Sequence, residues 1–219
     1  MQMTHSHSSL EMYVQCPWKF RSLRIAKEFK DFQGKAGEWG EAVHRALENR
    51  VLHGTPLPPS MGQYEQMAAY IAAIPGKKFG EQKLAMTIDC KPCDYFAKTA
   101  YLRGLCDLFV VQGDSALLID YKTGSSQYAN NDQAIRNCLL IFAHHPAVQE
   151  VHTRFIYFKD GMTKRGTYSR GEIPQLLRNP LVVSEAITAS FANDHWPKKP
   201  SGLCGYCPVS TCEHNRKRR

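Results

Sequence analysis

The stretch that most restricts how this chain can fold is TAYLRGLCDLFVVQGDSALLIDYKTG, residues 99–124. Two runs rich in apolar residues flank Gly113-Asp114, a dipeptide suited to a two-residue hairpin turn because glycine reaches positive φ without steric cost. The turn fixes a register. Gln112 pairs with Ser115, and counting outward from them Asp107 falls directly across from Asp120. Opposed residues of an antiparallel pair hold their β-carbons about 4.5–5.5 Å apart, where like charges are destabilising. Strand side chains alternate faces, so Lys122 shares the face of Asp120. Phe109, Val111 and Leu118 make that face otherwise apolar, as Leu108, Val110, Leu117 and Ile119 make the other. Both faces are therefore expected under protein, where two facing carboxylates need a cation or a shared proton. A hard divalent ion such as Mg²⁺ or Mn²⁺ suits an all-oxygen pair; a wet strand end with a simple Asp120–Lys122 ion pair is the plainer reading.

The surrounding pattern places helices before and after the hairpin. Leu10, Val14, Trp18 and Leu23 or Ile25 mark an early helical region over residues 8–30, broken near Cys16-Pro17 because a proline disfavours helix in the residue before it. A second helix over residues 37–53 would bury Trp39, Val43, Leu47 and Val51, and a third, GQYEQMAAYIAAI, would stop at Pro75-Gly76. EQKLAMTID alternates as a strand opened by Glu81. NDQAIRNCLLIFAHH reads as a helix, VHTRFIYF as a strand, and residues 171–194 as a helix interrupted at Pro180. These elements make an α/β chain with a mixed sheet covered by helices on both sides. A single domain over residues 1–219 is expected, its core at 36–194, with 1–35 and 195–219 forming a helical, cysteine-bearing region.

Lysine and arginine number 28 against 20 acidic residues, and much of the excess lies near the two ends of the chain. Lys19, Arg21, Arg24 and Lys27 recur at helical spacing; Lys198, Lys199 and residues 216–219 form a second cluster. Such a balance favours polyanions, since each neutralised phosphate releases counterions, although a solvated face is the bland alternative. The opening residues lack an apolar leader core and no run approaches membrane-spanning length, so a cytoplasmic protein is expected. Eight cysteines then argue for metal binding or buried thiols rather than disulfides. Cys204, Cys207 and Cys212 crowd one short loop, one ligand short of a tetrahedral or cluster site. His214 could complete a zinc site, as could Cys90 and Cys93 joined to Cys204 and Cys207. Cys106 and Cys138 read as core.

RGLCDLF and IDYKTG together resemble the Gly-x-x-Asp and Asp-x-Lys elements of the PD-(D/E)XK nuclease superfamily, within it the RecB-like exonuclease branch that includes AddB and the CRISPR-associated RecB-like nucleases. GEWGEAVHRALE resembles the family's histidine-bearing helix, with His44 at the matching position, and Gly37 and Gly40 behind it leave room for close approach. Gln133 matches the start of Gln-x-x-x-Tyr, where Asn137 stands in place of the tyrosine. The resemblance implies a restriction-endonuclease-like fold and a Mg²⁺- or Mn²⁺-dependent DNA nuclease. In it His44, Asp107, Asp120 and the backbone carbonyl of Tyr121 would be metal ligands, and Lys122 would orient the attacking water. Glu81 and Gln133 are further candidate catalytic residues, and Arg21, Arg24 and Lys27 candidate DNA contacts. The resemblance also nominates Cys16 with Cys204, Cys207 and Cys212 as ligands of a [4Fe–4S] cluster stapling the two ends of the chain, zinc being the alternative occupant. It implies DNA that is single-stranded or has free ends as substrate. With no Gly-x-x-x-x-Gly-Lys-Ser/Thr motor motif in the chain, a helicase or recombination or integration partner would be separate. An end-processing endonuclease and a non-catalytic DNA-binding protein are the rival readings.

Overall fold

The structure, a computed structural model, describes residues 3–31, 34–128 and 130–216. The chain divides into two compact units, one of residues 1–4 and 34–176, the other of residues 5–33 and 177–219. The basic residues 217–219 lie outside the described residues.

The first unit is built on a six-stranded sheet of β1 (Lys77–Met86), β2 (Pro92–Cys93), β3 (Leu102–Gln112), β4 (Ser115–Lys122), β5 (Glu150–Tyr157) and β6 (Met162–Ser169), in the order β2-β1-β3-β4-β5-β6. The hairpin forms as its turn dictates: Gly113 takes φ 62 and the β3–β4 ladder runs from Gln112↔Ser115 to Leu108↔Ile119. β5 lies parallel to β4, which demands a crossover, and α5 (Asp132–His144) supplies it. β1 and β6 pair antiparallel with β3 and β5, so the sheet is mixed.

α3 (Lys35–His53) packs Val43, Leu47 and Val51 against Leu108, Ile119 and Tyr121 in one apolar cluster, joined by Ala68 and Ile71 of α4 (Glu65–Ala73). Trp39, expected in that stripe, is 41% exposed, because the part of α3 before Val43 lies outside the cluster. β1 starts four residues before Glu81, since Gly76 at φ 119 turns the chain straight from α4 into pairing with β3. β6 has no counterpart in the sequence reading. Its segment MTKRGTYS is polar and half exposed, as an edge strand with one partner can be.

In the second unit α1 (His7–Gln15) is capped reciprocally by Ser6 and Ser9. Cys16 is extended between α1 and α2 (Pro17–Phe20), with Pro17 at the first helical position, and α2 winds into a π-helical turn, Arg21–Ile25. Tyr13 Oη donates to the Ala186 carbonyl at 2.9 Å, and Phe20 packs between Tyr13 and Trp196. α6 (Ile173–Ala192) passes through Pro180 without the expected break. The roughly 3 kcal/mol that an internal proline costs is met by a long helix burying Ile187 and Ser190. Among the described residues no helix is long and apolar enough to cross a membrane.

Candidate functional site

At Asp107 the sheet departs from regular pairing on both sides. β1 pairs with β3 through Gly80↔Leu108 and again through Gln82↔Cys106, with Glu81 and Asp107 skipped between them; the β3–β4 ladder stops at Leu108↔Ile119, one step before Asp107 and Asp120. Glu81 carries a positive φ of 39 there, a backbone state that a non-glycine residue rarely holds. The faces also switch. Gly104 sits against Leu140 of α5, whereas Leu108, an even number of residues on, belongs to the α3 cluster. The counted register is right, but the facing carboxylate pair does not form as a ladder pair. Freed from the ladder, Asp107 uses its side chain where a strand would use its main chain: Tyr121 N–H donates to Asp107 Oδ2 at 3.0 Å.

His44, on α3, closes this half of the site. Its Nε2 donates to the Tyr121 carbonyl at 2.7 Å and its Nδ1 stands 3.3 Å from Asp107 Oδ2. The close approach depends on Gly40, where a β-carbon would lie 3.1 Å from Thr123 Oγ1. Burial lowers the affinity of His44 for a proton, but Asp107, Asp120 and the Tyr121 carbonyl outweigh it and hold its pKa above the ordinary value.

The other half is a closed triangle. Lys122 Nζ lies 2.6 Å from Asp120 Oδ2 and donates to Gln133 Oε1 at 2.8 Å, and Gln133 Nε2 donates to Asp120 Oδ1 at 2.8 Å. Asp120 is fully buried. Burial, reinforced by Asp107, pushes its carboxyl up, while Lys122 pulls it down. Asp120 Oδ2 nevertheless accepts no well-aligned hydrogen bond, the ammonium being near it but off the hydrogen-bonding direction. Asn137, one helical turn beyond Gln133, is buried at 2% exposure, and its side-chain oxygen would lie 3.1 Å from a β-carbon at Gly104. A β-carbon at Gly104 would come within 2.8 Å of Leu140 Cδ1, so Leu140 or the strand would have to shift.

One residue escaped the sequence reading. Glu48 follows His44 by one helical turn, and its carboxyl is raised by burial and by the charges of Glu81 and Asp107. A β-carbon on Gly80 would meet Glu48 Oε1 at 2.5 Å, so Gly80 makes space for it. Its spacing of four from His44 was the available signal. Glu81 is exposed and makes no hydrogen bond to the triangle.

In the second unit Cys16, Cys204, Cys207 and Cys212 line one cavity together with His214. All four are free thiols. The Cys207 thiol is pushed up by burial, with Cys16 and Cys204 among the neighbours acting on it. Cys90 and Cys93 fall in the first unit, and Cys106 and Cys138 are buried in its core as expected. Arg21 lies over the Trp18 ring, 5.1 Å from its centroid, and 3.8 Å from Glu28. Arg24 and Lys27 line a shallow hollow with Leu23, Phe29 and Lys30.

No group of three or more His, Cys, Asp or Glu side chains stands at metal-holding spacing among the described residues. The donor chemistry still fits a hard cation at the hairpin: a buried carboxylate oxygen without an aligned hydrogen bond, a second carboxylate, an imidazole and a main-chain carbonyl. The thiols fit a soft metal or cluster by the same test of ligand type.

The model of the PD-(D/E)XK nuclease superfamily matches residues 4–98. That span includes His44 and Glu48 and ends before Asp107, Asp120 and Lys122. Two solved structures share the fold. SSO0001 aligns with a TM-score of 0.52 at 14% identity, covering 98% of this chain and 88% of its own. A protein assigned as an exonuclease, from Eubacterium rectale, aligns at 0.53 with 9% identity, covering 98% and 87%. Among curated proteins none matches the chain. The restriction-endonuclease-like α/β fold expected from the resemblance is the one found, a mixed six-stranded sheet flanked by helices.

Proposed function

We propose that the chain is a divalent-metal-dependent DNA nuclease that works as an exonuclease on single-stranded or frayed ends. The observation that carries this reading is the meeting, at one end of the β3–β4 hairpin, of the Asp120–Lys122–Gln133 triangle with the Asp107–Tyr121–His44 arrangement. His44, Asp107, Asp120 and the Tyr121 carbonyl would hold Mg²⁺ or Mn²⁺, which when bound activates water and neutralises charge on the phosphate. The chain's own groups do the rest. Gln133 fixes Asp120 and Lys122 in one orientation, and Lys122 presents an ammonium that orients the attacking water. The tilt toward nuclease chemistry also has support in the superfamily match.

The thiols of the second unit would hold a [4Fe–4S] cluster through Cys16, Cys204, Cys207 and Cys212, linking residues from the two ends of the chain. The cavity they share supports this reading. Iron and acid-labile sulfide measured on anaerobically purified protein distinguish the cluster from zinc.

The decisive experiment compares the parent with Asp120→Ala and Lys122→Ala on end-labelled single-stranded, end-blocked and circular DNA with Mn²⁺. The parent should degrade free ends, and each variant should lose activity by a factor on the order of 10³. Digestion by both variants at the parental rate would remove the catalytic assignment, and cleavage of circles would make the activity endonucleolytic.

A further inference from the structure

The connection between β2 and β3 carries an aromatic corner that the proposed chemistry does not use. Tyr95 and Phe96 stand edge to face with centroids 5.1 Å apart, and Phe96 is 79% exposed. The Arg103 guanidinium lies over both rings, 5.3 Å from the Tyr95 centroid and 5.8 Å from that of Phe96. Among the described residues Arg103 has these rings as partners and no carboxylate. The corner is ordered by turns closed through Ala97 N–H to Asp94 O and Ala100 N–H to Ala97 O, and Tyr101 N–H ties it to Met86 O. Asp94, the acid of this segment, stands beside the Cys93 thiol.

Strand geometry links the corner to the candidate site. Arg103, Leu105 and Asp107 alternate with Gly104 and Cys106, so they share the face of β3 away from α5. Leu105, 41% exposed, pairs with the exposed Lys83, and Arg103 pairs with Ala85. Four residues of strand put Arg103 about 13 Å from Asp107. A row of two cations and an apolar side chain thus runs from an exposed aromatic ring to the carboxylate. An exposed ring beside cations along one track is what an unpaired base and its backbone require.

We infer that Phe96, with Tyr95 and Arg103, is a stacking platform for a base of single-stranded DNA whose backbone follows Lys83 and Leu105 toward Asp107. The inference rests on the nuclease reading and names how its substrate lies. The paired interior of a duplex cannot use the platform, because its bases are already stacked on both faces.

The test uses the full chain in EDTA, with a labelled oligothymidylate and a labelled closed minicircle duplex, which has no ends, as probes, followed by fluorescence anisotropy across a salt series. Phe96→Ala should weaken binding of the single strand about tenfold and leave the duplex and the thermal midpoint unchanged, with Phe96→Trp restoring affinity. Lys83→Gln, on the backbone track, should flatten the slope of log K against log salt by about 0.7, the loss of one single-strand phosphate contact. If Phe96→Ala binds the single strand as the parent does, or loses the duplex equally, the platform is overturned. Digestion with Mn²⁺ separates the two readings. A parent that binds through Phe96 but cuts nothing upholds the platform and overturns the nuclease, whereas a parent that cuts as fast after Phe96→Ala, with unchanged binding, does the reverse.

Discussion

The carboxylate end of the hairpin and the cysteine cavity are both candidate metal centres, yet they are organised in different ways. At the hairpin every group has a protein partner. Asp107 takes the Tyr121 amide, His44 takes the Tyr121 carbonyl, and Gln133 bridges Asp120 and Lys122. The positions come from strand register and a crossover helix, so the arrangement stands on the sheet. In the cavity the thiols have few such ties. Ser201 N–H donates to Cys204 Sγ at 3.3 Å, and the surrounding chain is a 3-10 turn, Gly202–Tyr206, followed by loop. A site built on a sheet is preorganised before its ligand arrives, whereas one built on a loop relies on its ligand for order.

The sharpest way to break that contrast is to remove the soft ligand. Cys207→Ser, or chelation of metal from the parent, should destabilise the second unit by about 4 kcal/mol if the occupant sits near a thousandfold above its Kd. Hydrogen exchange should show lost protection in α1 and α6 with β3 and β4 unchanged; equal loss in both units would erase the distinction. Next in size, Gln133→Ala withdraws hydrogen bonds from a buried charge pair. DNA turnover should fall about 10- to 100-fold without change in metal held by the thiols, and unaltered kinetics would show that the triangle is not preorganising anything.

A smaller effect is expected from Gly104→Ala. Its methyl meets the fully buried Leu140, so urea unfolding should show a loss of about 1–3 kcal/mol. A neutral result would mean that α5 is free to shift. The mildest prediction concerns His5 of the second unit, whose pKa burial pushes down to about 4. Between that value and the ordinary value of about 6.5 the unfolded chain binds a proton that the folded chain does not. Stability present above pH 6.5 should therefore decline as pH falls toward 4. Urea midpoints at several pH values, with His5→Gln flattening the decline, measure it.

What the sequence disclosed follows the range of the forces involved. Gly113-Asp114 sets its own turn, and the register up to Leu108↔Ile119 follows by counting. Val43, Leu47 and Val51 repeat at helical spacing, so their burial was readable, while the exposure of Trp39 depends on where the sheet ends. The break at Asp107 could not be read from β3 alone. It arises where β1 skips Glu81 opposite Asp107 and where Asp107 meets His44 and the Tyr121 main chain, separate segments whose approach is a tertiary property. Glu48 was hidden for the same reason, and β6 because an edge strand needs no apolar run.

Residue 121 gives a final consequence. Its amide serves Asp107 and its carbonyl serves His44, and neither link involves the phenol. Truncation scanning would therefore pass over the hub of this assembly, crediting any loss at that position to missing core volume. An amide-to-ester exchange at the Asp120–Tyr121 linkage deletes the donor while keeping the phenol and the Tyr121 carbonyl, and is the substitution able to weigh it.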